Sequence, residues 1–394
     1  MIKCASIYTY EIDNRSAALD EIKKQLSEKI TLLKNTVGVI MCHPEFISSG
    51  VLRYISINLP FSTMGVTTAA QAVNGEAGEL ILTIFVMTSD DVWFRTGVAE
   101  NIQEDLDKSV AAGYENASRG ETEAPRLALI FPPIFLKYAG DDYIDAWQKC
   151  IPGTPLFGTL AMDDTPTFED SETIYNGQSS KTAIPFILCY GDINPRFLIG
   201  SIPEEKGMPY TGEITSSTGS RVHEINGMST YRYFESIGFE SNGVSSVNYL
   251  FIPFSISNKT GAGDDGIPVI RILSSYAEDG TAIFHGNVAQ GSIFTLLQCE
   301  SDDVISSAKE MIDRLNVMQD VNGVLLFSCI VRRILTMGDT HDEMNFEFES
   351  VKNALNPDIP FLMGCAGGEV CPTVIKEGIP TNRYHEYSLV ILVV

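Results

Sequence analysis

Residues 323–335 read GVLLFSCIVRRIL, residues 360–370 read PFLMGCAGGEV, and residues 383–394 read RYHEYSLVILVV. Each holds a short uninterrupted apolar run flanked by polar or reactive residues. Ser328, Cys329, Arg332 and Arg333 follow the first run. The tip Gly364-Cys365-Ala366-Gly367-Gly368-Glu369 follows the second. Arg383 and His385 precede the third. Runs of this kind suit strands buried on both faces. Side by side, three such strands bring their polar ends to one edge of a sheet, where α/β folds usually bind ligands.

The pattern recurs upstream. FPPIFLKYAGDDY (131–143) answers SCIVRRILTMGD (328–339), PLFGTLAMDD (155–164) answers PFLMGCAGGE (360–369), and AIPFILCYGD (183–192) answers YSLVILVV (387–394). GVTTAAQ (65–71), with Thr67 and Thr68, is the tip of a looser third copy. Copies so few and so long indicate module duplication, not a solenoid. The units around 127–190 and 323–394 are expected to superpose, with Gly158 matching Gly364.

Between these anchors the chain alternates strands and helices. Asn14 is an N-cap candidate for a helix whose Leu19, Ile22, Leu26, Ile30 and Leu33 step by three and four. Strands are expected over 2–12, 37–42, 53–59 and 80–87, a helix over about 98–117, and another over 141–150. Residues 194–219, rich in Pro, Gly and Ser, read as an inter-domain crossing. Asn226-Gly227 and Asp279-Gly280 mark hairpin turns, and Ser301 opens a further amphipathic helix. The fold class is therefore α/β: duplicated modules with mixed β-sheets flanked by helices, in two domains, 1–205 and 206–394.

The chain has 394 residues and a formal net charge of -24, from 51 acidic and 27 basic residues. That field opposes binding to nucleic acid or to an anionic membrane. The N-terminal MIKCASIYTYEID lacks a signal-peptide core, and no apolar run approaches the roughly 18 residues of a membrane span. A cytoplasmic location without membrane insertion is the expectation. The 8 cysteines form no C-x-x-C pair, so most read as small buried hydrophobes.

At 323–335, 360–370 and 383–394 the residues resemble the C-terminal half of FIST proteins (F-box and intracellular signal transduction domain). RVHEINGMSTYRYFESIG (221–238) looks like the start of that half, and the tips at 65–78 and 158–164 look like the N-terminal half. Gln71 stands where the family's pattern has an acid. The resemblance implies a sensory module, common in bacteria, that binds small molecules, with amino acids proposed as ligands. It also implies a separate output partner such as a kinase, cyclase or chemoreceptor. Some bacterial members resemble haem-binding nitric oxide sensors.

Each candidate residue has a structural alternative. Arg332 or Arg333 can fork onto a ligand carboxylate, or can pair in solvent with Asp339, Asp342 or Glu343. Gly364, Gly367 and Gly368 let backbone approach a ligand, with Glu369 taking an amine, or they make a tight turn. His385, beside Arg383, can ligate haem iron or simply hydrogen-bond at a strand start; His43 and His285 are weaker versions. Cys329 as a nucleophile needs a base, and His341 and His385 are the nearest in sequence. No G-x-S-x-G or H-E-x-x-H motif is present. The reading is a small-ligand sensor without catalysis, metal or obligate cofactor. An enzyme acting through Cys329 or Glu369 is the rival.

Overall fold

The computed structural model describes residues 2–134, 137–165, 167–239, 251–258, 268–337, 346–376 and 379–394. Asp339, His341, Asp342, Glu343 and most of the 257–266 loop lie outside the described residues.

One order of elements occurs three times: strand, helix, strand, helix, strand, hairpin, strand. In the first unit these are Lys3–Thr9, Arg15–Lys29, Asn35–Cys42, Val51–Ile57, Ser62–Thr67, the hairpin Gln71–Val73/Glu76–Gly78, and Leu82–Ser89. In the second they are Val92–Ala99, Leu106–Ala117, Leu127–Ile130, Gly140–Cys150, Leu156–Thr159, Thr173–Tyr175/Gln178–Ser180, and Ile184–Gly191. In the third they are Arg196–Gly200, Ser301–Asn316, Val324–Cys329, Phe346–Ala354, Phe361–Ala366, Glu369–Lys376/Ile379–His385, and Leu389–Val393. A short helix, Ile330–Thr336, also follows Val324–Cys329.

Each unit's four long strands lie in the order first, last, second, third. Only the second and third run parallel. The hairpin never joins its own sheet. The first unit's hairpin pairs with Phe361–Ala366 of the third. The second unit's pairs with Ser62–Thr67 of the first, and the third unit's pairs with Leu156–Thr159 of the second. The exchange closes in a ring and completes three 6-stranded sheets. Strands from both sides of residue 205 therefore share two of these sheets.

Period-2 alternation explains how the sheets pack. Val37, Val39 and Met41 of the first sheet, Leu129 and Phe157 of the second, and Leu325 and Phe327 of the third meet in one central core. The opposite faces each cover their own helices. Leu19, Ile22 and Leu26 pack beneath Ile40 and Cys42. Trp147 packs on Phe186 with ring centroids 4.7 Å apart. Met311 and Leu315 join Leu326 and Met363. These strands are buried on both faces, as their apolar runs require.

Gly65, Gly158 and Gly364 hold one register position, opposite Ile40, Ile130 and Phe327. A Cβ at Gly65 or Gly158 would overlap the carbonyl oxygen of the facing Ile40 or Ile130. The units at 127–190 and 323–394 thus share their topology, and the first unit shares it too.

Three local readings need correction. Residues 53–57 belong to the helix Val51–Ile57, opened by Gly50 at φ 77°, and 58–59 to the turn after it; a short apolar run does not distinguish strand from helix. Val98 lies in the strand Val92–Ala99, and the helix begins at Leu106 after its Asp105 cap. Residues 194–219 are largely strand: Arg196–Gly200 edges the third sheet and Gly207–Thr218 opens a fourth.

That fourth, 7-stranded sheet is inserted between the first strand and first helix of the third unit. Its core is aromatic: Phe254 and Phe294 lie 5.0 Å apart, and Phe234 is 5.4 Å from Phe254. Asn226 and Gly227, at φ 52° and 75°, turn its Arg221–Ile225/Met228–Ser229 hairpin, as the dipeptide predicts.

Candidate functional site

The three tips interlock at the centre. The Thr68 hydroxyl donates to the Cys365 carbonyl at 2.7 Å. The Met162 amide donates to Thr67 O at 3.0 Å, and the Gly367 amide to Leu160 O at 3.3 Å. Thr67 and Thr68 are fully buried, and Thr67 also accepts from the Glu172 amide. Their hydroxyls hold the ring of tips together.

The inserted sheet is fastened over one side of this ring. Arg271, 3% exposed, donates to both carboxylate oxygens of Asp141 at 3.0 and 3.2 Å and to Tyr384 O at 3.1 Å. The Ile272 amide donates to Glu386 Oε2 at 3.0 Å. The Gly140 amide donates to His285 O at 3.0 Å, and the Asn287 amide to Asp141 Oδ2 at 2.7 Å.

Beneath the sheet lies a cavity of about 320 Å³, in the range of small-ligand sites. Cys329, Gly367 and Gly368 form part of its lining, so three of the proposed ligand-binding residues come together there, with His285, a weaker haem candidate, on the same wall. Gly368 has φ 132°, and a Cβ on it would overlap the Tyr384 hydroxyl. The remaining wall includes Leu160, Phe168, Ile272, His285, Tyr384 and Glu386.

Glu369 is fully buried just behind the Gly367-Gly368 turn; among the described residues neither carboxyl oxygen has a partner in ordinary hydrogen-bond geometry, and the Ser388 amide and Cys329 thiol are the donors beside it. Burial, reinforced by Glu386, drives its pKa well above the ordinary value, with Arg332 opposing. Burial raises Glu386 to about 8, with Arg271 opposing. Glu386 is therefore mainly protonated near neutral pH, and burial pushes Glu369 in the same direction. Burial, then the Glu369 carboxyl, pushes the Cys329 thiol well up. A thiol held protonated is a poor nucleophile.

The other candidates sit elsewhere. Arg332, 1% exposed, donates to Glu347 at 2.6 and 3.1 Å, to Ser307 at 3.0 Å, and to the Val304 and Tyr387 carbonyls. Ser328 donates to the same Glu347 at 2.7 Å. Arg333 pairs with Glu79 across the ring. Neither arginine is solvated, and neither lines the cavity. Gly364 packs against Met41. Arg383 lines a second cavity with Arg271 and Asp141. His385, 4% exposed, places Nε2 3.0 Å from Cys371 O, and burial lowers its pKa to about 4. A neutral ring donating to a carbonyl inside a sheet is not poised to ligate iron. His43 lies 3.4 Å from Asp164. Among the described residues, no His/Cys/Asp/Glu cluster has metal-holding geometry.

Glu386, Tyr384 and Asp142 were not singled out in the sequence. Tyr384 and His385 are neighbours on the strand Ile379–His385 and face opposite ways; Glu386 follows in the bend after the strand, where alternation gives no signal.

A ring of interlocked α/β units with a roofed cavity and a protonated thiol has the build of a binding module. The FIST N domain matches residues 36–228, and the FIST C domain matches residues 230–372. The chain belongs to the FIST family. FIST domains are associated with signal transduction and small-ligand sensing, not with catalysis. No curated protein matches the chain. Among the described residues, no helix is long and apolar enough to cross a membrane.

Proposed function

We propose that this protein is a cytoplasmic sensor that binds a small ligand between the ring of tips and the inserted sheet, and signals through a separate partner. The supporting observation is the cavity of about 320 Å³. Its roof is held by contacts that a ligand can rearrange, Arg271 to Asp141 and Glu386 to Ile272. A ligand that touches both sides shifts the roof by its differential affinity for the two arrangements. Catalysis through Cys329 has no support from a thiol raised by burial. Haem ligation through His385 has none from a ring engaged with Cys371.

A thermal-shift screen of amino acids and metabolites tests this reading. A cavity ligand at about 100 times its Kd stabilises by about 2.7 kcal/mol. Ser274, on the cavity wall, supplies the control. Ser274→Phe should fill the cavity and remove the shift while the unliganded protein still folds. A shift that survives Ser274→Phe places the ligand elsewhere.

A further inference from the structure

Charge in and around the cavity is one-sided. The buried cations near it are engaged: Arg271 with Asp141 and three carbonyls, Arg332 with Glu347, and Arg333 with Glu79. Lys137 and Arg221 line it only as exposed residues. Burial lowers the pKa of His285 to about 4, so this wall residue is neutral. Among the described residues, a ligand carboxylate would meet no uncommitted buried cation. Acids are placed differently. Glu386 lines the cavity at 3% exposure; Oε2 accepts from Ile272, and no partner for Oε1 occurs among the described residues. Glu369 lies behind it, fully buried, with the Ser388 amide and the Cys329 thiol beside it and no basic partner bonded to it among the described residues.

The threefold repeat supplies an internal control. Val370 faces Gly158 as Ile174 faces Gly65 and Gln71 faces Gly364. The residues just before them are Glu369, Thr173 and Ala70. Thr173 satisfies its hydroxyl on Ser180 O and Ala183 O at 3.0 and 2.9 Å. The fold thus needs only a small residue at this place. The acid appears in the third unit, behind the Gly367-Gly368 turn that lines the cavity, while the second unit, whose Leu160 and Met162 also line it, keeps Thr173.

We propose that the cavity takes a small organic cation, an amine with an apolar body, seating its ammonium on Glu386 with Glu369 as a second carboxyl behind. This rests on the reading of the cavity as the ligand site. Ile134, Leu160, Phe168, Ile272 and Phe284 receive the body. The groups around Glu386 are Arg271 and His285 from the insertion and Asp141 and Asp142 from the helix Gly140–Cys150. Glu369 and Tyr384 come from the third hairpin, with Tyr387 and Cys329 beside it. Arg271 is the cation in that set, and Asp141 neutralises it. Near neutral pH Glu386 is mainly protonated, so an incoming alkylammonium displaces that proton to solvent and leaves an ammonium–carboxylate pair.

Calorimetric titration with phenethylamine, 3-phenylpropionate and phenylalanine, which share one aromatic body, tests the class. The amine should bind about tenfold or more tighter than the other two, as a charge-assisted hydrogen bond requires. Its binding enthalpy should differ between phosphate and HEPES buffers, reporting proton release. Glu386→Gln keeps an acceptor for Ile272 and should lower amine affinity about tenfold or more while abolishing the release. Glu369→Gln, which leaves the Ile272 bond untouched, should weaken the amine by less than Glu386→Gln does and leave the release in place. The proposal is overturned by equal or tighter binding of either carboxylate-bearing probe. It is also overturned by amine affinity indifferent to Glu386→Gln, or by absence of amine binding. If the amine fails while the metabolite screen finds a ligand that Ser274→Phe abolishes, the cavity reading stands and the cation class falls. If the amine binds and Ser274→Phe leaves it unchanged, both fall.

Discussion

Arg332 and Glu386 lie at almost the same depth, 1% and 3% exposed. Arg332 has a full set of acceptors in Glu347, Ser307 and two carbonyls. Removing either member of that pair strands a buried charge. Glu386 instead stays neutral through protonation. Its pKa moves from the ordinary 4.5 to about 8, chiefly by burial. The folded protein then holds a proton that the unfolded chain releases above the unfolded value. Stability associated with this group is full below 4.5 and declines as pH rises through 8. The slope is at most about 1.4 kcal/mol per pH unit for one proton. Glu386→Gln should flatten this decline, measured as urea-unfolding free energy across that window against wild type. The same pH dependence in both proteins would mean that Glu386 is already ionised when folded. Glu369, raised in the same direction, should leave a residual slope in the variant.

At the scale of elements, the register glycines make the repeat testable. Gly158→Ala puts a Cβ onto the Ile130 carbonyl oxygen, a backbone atom that cannot move without disturbing the ladder. At Gly75, with φ 86° and nothing within 4 Å of the added atom, the same change costs only the left-handed strain, about 1–2 kcal/mol. Thermal denaturation should find Gly75→Ala modestly weakened and Gly158→Ala severely so; equal losses would show that the close approach does not matter. The repeat was legible in sequence because each unit needs a strand buried on both faces, and Leu127–Ile130 and Val324–Cys329 are such runs. Gln71–Val73 was not legible: its 3 residues pair with a strand almost the whole chain away, and so short a run carries no register information. Val51–Ile57 misled because its β-branched and aromatic residues imitate a strand. The tip of the candidate site was readable from Gly367 and Gly368. The anchoring of Arg332 was not, since nothing local marks Glu347 as its partner.

At the scale of the molecule, the net charge of -24 sits on a body whose three 6-stranded sheets are each completed by a neighbouring unit. A solitary unit would leave its third strand bare along one edge and its hairpin with nowhere to dock. An exposed edge of that kind invites pairing with another chain. Three identical copies would satisfy one another by passing hairpins round a circle, a closed assembly with a threefold axis. The present chain then reads as a domain-swapped homotrimer whose protomers have been joined end to end, free since the joining to diverge. The third unit carries the inserted sheet and the buried acid Glu369, where the other two have Thr173 and Ala70. A single unit designed as the consensus of the three should sediment as a trimer. A stably folded monomer would argue against that ancestry.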